Sequence, residues 1–129
     1  MTRPPHRLWL ALAAAGALAA PGACASVPPP PPAEVTSGDP VRGAELIGRY
    51  GCGTCHEVPG VRGADGMVGP PLTRFGSRSY IAGHLVNTGP NLWRWITDPQ
   101  GVDPGTAMPD VGVTDADARD IVAYLMSLD

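Results

Sequence analysis

Six consecutive residues, Gly51-Cys52-Gly53-Thr54-Cys55-His56, hold the densest chemistry in the chain. Two thiols at this spacing can add to the two vinyl groups of one porphyrin. The histidine that follows at once then falls beneath the ring, where its imidazole can ligate the iron. Cys-x-x-Cys-His is therefore read as the attachment site of one covalent c-type haem, with Cys52 and Cys55 on the ring and His56 on the metal. Gly51 and Gly53 are expected to let the backbone approach the macrocycle. A zinc site would ask for a second Cys/His pair, and the remaining cysteine, Cys24, has no such companion. A thioredoxin-like redox pair needs no trailing histidine and would sit in a βαβ pattern that is absent around residue 52.

A sixth ligand for that iron has three methionines and one histidine to draw on beyond residue 56. Met108 lies in a polar, proline-pinned loop, Gln100-Gly101-Val102-Asp103-Pro104-Gly105-Thr106-Ala107-Met108-Pro109, off any amphipathic face. Core packing explains it poorly. A thioether offered from a rigid loop suits the sixth position and raises the potential. Met67 stands in a Gly-rich loop, and Met126 falls on a helix where packing accounts for it. His84 reads as a surface or satisfied residue rather than a ligand.

Three helices are expected to position these groups. Asp39 can cap and Pro40 can occupy the first position of a helix over 41–50, with Val41, Ala44, Leu46, Ile47 and Tyr50 at helical spacing. Gly43 inside it marks a close helix contact. Residues 91–98 form a short helix with Leu92, Trp95 and Ile96 on one face, stopped by Pro99. The last helix opens at Thr114-Asp115-Ala116-Asp117, a shortened capping box, and runs to residue 128 through Ala118, Ile121, Val122 and Leu125. Residues 57–90 are rich in Gly and Pro and read as loop. Within them Gly69-Pro70-Pro71-Leu72 is a rigid turn, and Arg74 to Tyr80 is a loop over the haem edge. Arg74 and Arg78 are the cations nearest in sequence for the propionates. The fold class is all-α, three to five helices wrapped around one covalent haem.

The first quarter of the chain is of another kind. Arg3, His6 and Arg7 precede thirteen uncharged apolar residues, Leu8 to Ala20, and then small residues. This is the layout of a secretory signal peptide, and thirteen residues fall short of the roughly 20 that span a bilayer. Cleavage before Ser26 fits Ala23-Cys24-Ala25. Cleavage before a lipidated Cys24 fits Pro21-Gly22-Ala23-Cys24, which resembles a lipobox with Pro21 where an aliphatic residue is usual. Residues 26–38 carry Pro28 to Pro32 and read as an extended linker that cannot build a core, reaching about 3.1 Å per residue. The domains are thus a signal over 1–25, a linker over 26–38 and a folded unit over 39–129. From residue 26 on, seven Arg and no Lys stand against all twelve Asp and Glu. That sign argues against nucleic acid and anionic lipid head groups as partners.

Residues 40–129 resemble a bacterial class I cytochrome c, of the small mono-haem kind found fused to or beside cytochrome oxidases. The resemblance is carried by Cys-x-x-Cys-His at 52–56, Gly-Pro at 69–70, Leu-x-x-aromatic-x-x-x-Pro at 92–99, Pro-Gly-Thr-x-Met-Pro at 104–109 and Ile-Val-Ala-Tyr-Leu at 121–125. It implies thioethers on Cys52 and Cys55, with His56 and Met108 as the axial pair. It implies a Pro70 carbonyl that accepts the His56 ring N–H, and Trp95 packed near Met108. Arg78 and Thr106 match propionate contacts, and Gly43 and Tyr124 match the crossing of the first and last helices. Ile47 stands where an aromatic residue is common. With no lysine, a basic docking ring of the mitochondrial kind is absent.

The implied function is that of a monomeric single-electron carrier, not an enzyme. It would run between an exported or membrane-bound donor and an acceptor such as a terminal oxidase. Two alternatives stay open. One is the haem c subunit of a dehydrogenase complex, which an exposed apolar patch such as Val111 and Val113 would favour. The other is a ligand-binding sensor haem in which Met108 is displaced.

Overall fold

Asp39 starts the first helix as its place before Pro40 predicts. Its carboxylate accepts from the backbone N–H of Val41 at 2.8 Å and of Arg42 at 3.3 Å. The computed structural model describes Met1 and residues 37–129. The expected signal segment with Cys24, and the linker up to residue 36, therefore lie outside the described residues. Helix α1 spans Pro40–Arg49 and is followed by a 3₁₀ turn over Cys52–Thr54. A two-stranded antiparallel hairpin, β1 (Tyr80–Ile81) and β2 (Leu85–Val86), precedes α2 (Gly89–Thr97), α3 (Pro99–Val102) and α4 (Asp115–Met126). The all-α expectation stands, with the small hairpin added inside the segment read as loop. Among the described residues no helix is long and apolar enough to cross a membrane.

The helix ends differ from the hydrophobic spacing in ways that caps explain. Thr88 accepts from Asn91 N–H at 3.4 Å, so α2 begins at Gly89, ahead of the first apolar repeat. Asp98 closes α2 and then caps α3, accepting from Gly101 N–H at 2.8 Å. Pro99 therefore ends one helix and, at a first-turn position where its missing N–H is not needed, starts another. Thr114 caps α4 by accepting from Asp117 N–H at 3.2 Å. The Asp117 carboxylate does not return to Thr114, as a capping box would have it. Tyr50 takes that place: its hydroxyl lies 3.5 Å from the Thr114 N–H and donates to Asp117 at 2.8 Å. Leu128 leaves the helix, and its carbonyl accepts from Gly76 N–H at 2.7 Å.

Helix α1 crosses α4 at Gly43, where the backbones nearly touch. A Cβ on Gly43 would stand 2.0 Å from the Asp120 carbonyl oxygen and 2.9 Å from Tyr124 Cβ. The approach lets the Tyr124 hydroxyl reach across and donate to the Pro59 carbonyl. Leu46, Ile47, Leu92, Ala118, Ile121 and Val122, drawn from α1, α2 and α4, are buried, with Ile47, Leu92 and Ile121 also facing the cavity described below.

Two glycines of α1 separate packing from propensity. Gly43→Ala gains about 1 kcal/mol of helix propensity but drives a methyl into backbone that cannot yield, an overpacking of about 1–3 kcal/mol or more. Gly48→Ala meets nothing within 4 Å. Thermal unfolding should show Gly43→Ala lowering Tm by roughly 5–10 °C and Gly48→Ala raising it by a few degrees.

Candidate functional site

The 52–56 motif folds as a tight turn because its carbonyls are taken up locally. Cys55 N–H and His56 N–H donate back to Cys52 O at 3.2 and 3.0 Å, and Gly51 before them adopts a left-handed φ of 72°. The loop that follows is laced onto the motif. Gly66, Gly69 and Leu72 donate backbone N–H bonds to Gly53, Cys55 and Glu57 at 3.0, 2.7 and 2.8 Å. This lacing sets the Pro70 carbonyl 2.7 Å from His56 Nδ1, which donates to it. Nδ1 is thereby committed and the tautomer is fixed, leaving Nε2 for a metal. Gly69 lies against the imidazole, and a Cβ there would stand 2.3 Å from His56 Cε1. Burial pushes the Cys52 thiol above its ordinary value, with the neighbouring Cys55 acting in the same direction and a backbone hydrogen bond opposing both. Burial thus favours the uncharged form of this sulfur, which belongs to the cavity lining.

Another part of the lining comes from α2 and the loop after α3. Asp103 turns that loop by accepting from Gly105 N–H at 3.1 Å, and its carbonyl takes the Thr106 N–H at 3.0 Å. Thr106 Oγ1 accepts from Met108 N–H at 3.2 Å, and Gln100 donates to the Met108 carbonyl at 2.6 Å. The Met108 backbone is thus held at both its N–H and its carbonyl. His84, on the hairpin turn, lies 3.3 Å from Asp103 and is half exposed; it does not line the cavity.

The motif and this loop meet at a cavity of about 640 Å³, lined by Cys52, Cys55, His56, Pro70, Arg78, Trp95, Thr106 and Met108 together with buried aliphatic side chains. All eight residues singled out from sequence therefore meet at one site. Met67 is 93% exposed, and neither it nor Met126 lines the cavity. The residues suit a covalent haem: two thiols, an imidazole with a free Nε2 and a thioether, set together in a largely apolar lining. Arg78 spends donors on the carbonyls of Pro71 and Thr73, the latter at 2.8 Å, and lies over the Phe75 ring while still lining the cavity. Arg74 instead faces a separate polar cleft with Thr73, Ser77 and Arg78.

Some expectations need correcting. Gly53 is not needed for approach to the cavity: a Cβ there would meet Ala64 at 2.6 Å, so loop packing requires it. Val113 is buried, and of the proposed apolar patch only Val111 stays exposed, at 42%. Tyr50 is more than the apolar helix position its spacing suggests: it lines the cavity and bonds to Asp117, 67 residues on. No local signal announces that pairing.

The family model for Cytochrome c matches residues 40–129. Cytochrome c oxidase subunit 2 of Alkalihalophilus pseudofirmus is 39% identical over 88 residues, covering 67% of this chain and 25% of that protein. The protein of the same name from Bacillus sp. strain PS3 is 37% identical over 95 residues, covering 70% and 27%. That of Bacillus subtilis strain 168 is 30% identical over 91 residues, covering 67% and 26%. The chain thus spans about a quarter of the length of the curated relatives it matches.

Gly69→Ala should tilt the His56 ring and break its bond to Pro70, because the ring is the nearer and softer obstacle. The expected result is a lower yield of haem-loaded protein and a shifted reduced spectrum, with the haem-to-protein ratio as the measure. An unchanged ratio and spectrum would show that the imidazole is positioned by something else.

Proposed function

The chain belongs to the cytochrome c family, and from that premise we propose that it is a single-electron carrier with one covalent haem, His56 and Met108 being the axial ligands. The observation that carries this reading is the convergence of Cys52, Cys55, His56 and Met108 on one apolar cavity. When bound, the haem iron holds one electron and cycles between the ferric and ferrous states. His56, oriented by Pro70, and Met108, held by Thr106 and Gln100, would both ligate the iron and leave it no open position for a substrate. The protein is therefore a carrier rather than an enzyme. The apolar walls exclude water, which keeps the rearrangement on electron transfer small. Arg78 and Thr106 supply donors at the cavity for the propionates.

The acceptor we propose is a respiratory terminal oxidase, on the strength of the oxidase subunits it is similar to. Its acidic surface suits a basic docking patch, with association rates that fall as salt rises. Residues 1–25 direct export, with cleavage before Ser26 or before a lipidated Cys24. The intact mass of the exported protein separates the two.

Visible spectra test the ligand set. The oxidised protein should show a methionine-to-iron charge-transfer band, and the reduced protein should not respond to carbon monoxide. Met108→Ala should abolish the band and open the iron to carbon monoxide. Ready carbon monoxide binding by the unaltered protein would favour the sensor reading instead. Cys52→Ala should leave a single thioether, seen as a red-shifted pyridine haemochrome band.

A further inference from the structure

A polar chain runs from the helix crossing to the cavity wall. Arg42 donates to one Asp117 oxygen at 2.7 Å, and its guanidinium lies 3.3 Å from Asp120. Asp120 also accepts the backbone N–H of Asp39 at 2.8 Å. The second Asp117 oxygen accepts from the Tyr50 hydroxyl at 2.8 Å, and Tyr50 lines the cavity. One phenol therefore separates the Asp117 carboxylate from whatever fills the cavity. The two carboxylate side chains are 15% and 12% exposed, whereas Arg42 is 53% exposed. Two negative charges thus face one positive charge, and water and salt screen the positive one best.

We propose that Asp117, presented to the cavity through Tyr50, sets the redox potential of the bound haem. Ferric iron carries one more positive charge than ferrous iron. A fixed carboxylate near the wall favours the ferric form and lowers the potential, and it acts at longer range in a poorly solvated shell than on the surface. Reduction adds one electron to the iron and requires no bond or proton to move in the network. Asp117 touches no reacting atom and works through Tyr50, so it is a positioning residue. The proposal rests on the reading that a haem fills this cavity. It does not depend on whether Met108 is the sixth ligand.

The rival role for the network is a clamp that fastens α1 to α4, and the two roles differ in sign. Potentiometric titration of the haem-loaded, exported protein should show Asp117→Asn moving the midpoint potential upward and Arg42→Gln moving it downward by less. Loosening a clamp would move both in one direction. Asp117→Glu should restore the original potential. In a Tyr50→Phe background, Asp117→Asn should shift the potential less than it does in the unaltered protein. Thermal unfolding of each variant separates a charge effect from a packing effect. An unchanged or lowered potential in Asp117→Asn, or shifts of the same sign in both single variants, would overturn the proposal. Should Asp117→Asn fail to load haem, Arg42→Gln decides alone: a potential that holds or rises overturns it. If the unaltered protein shows no haem spectrum, the haem reading itself fails, which is a different result from a flat response to charge.

Discussion

The core of this domain is a shell, and everything else follows from the need to fill it. Ile47, Leu92, Trp95, Ile96, Ile121 and Leu125 belong to the buried core and also line the cavity. Water against this lining would wet aliphatic groups whose burial stabilises the fold, so an apolar group of matching size is the better filler. On the reading proposed above, haem binding would be coupled to folding, and the thiols of Cys52 and Cys55 would anchor the group to the shell.

Precision at the site comes largely from irregular chain. The stretch from Glu57 to Ser79 contains no helix, yet its backbone is tied at short intervals. Gly66, Gly69 and Leu72 bond to the motif, Gly76 bonds to Leu128, and Asn87 donates to the carbonyls of Phe75 and Arg78. A helix would repeat one geometry, whereas this segment has to deliver a carbonyl to His56 and the Arg78 side chain to the cavity lining. The helices do a different job. The α1–α4 crossing closes the shell at one end, and its closeness is permitted by the missing side chain of Gly43.

Much of this was legible in the sequence, where the signals are local. The Cys-x-x-Cys-His turn, the caps at Asp39 and Thr114, and the apolar repeats of three helices each depend on residues within one or two turns of one another. Met108 stood out because its loop lacked an amphipathic face. What escaped the reading depends on contacts across the chain. The hairpin at Tyr80–Val86 is two residues deep on each side, too short for an alternating pattern. Gly53 answers to Ala64, Val113 is covered by the fold, and Tyr50 bonds to Asp117. None of these is written in periodicity or spacing.

The carboxylates divide by depth, and depth decides what each can do. Glu45, Glu57, Asp65, Asp98, Asp110 and Asp115 lie in solvent. Their fields die away within a Debye length of about 8 Å at physiological salt, so any effect they have on an approaching partner would weaken as salt rises. Asp117 and Asp120 sit at the helix crossing, with Arg42 as counter-charge and their other lone pairs taken by Tyr50 and the Asp39 N–H. Salt reaches them poorly. Full pairing on the spot keeps their burial affordable, while the surplus negative charge stays directed at the shell. On the readings proposed above, one acidic composition would serve two separable ends: an outer set would govern how fast a partner arrives, and Asp117 how readily the electron leaves.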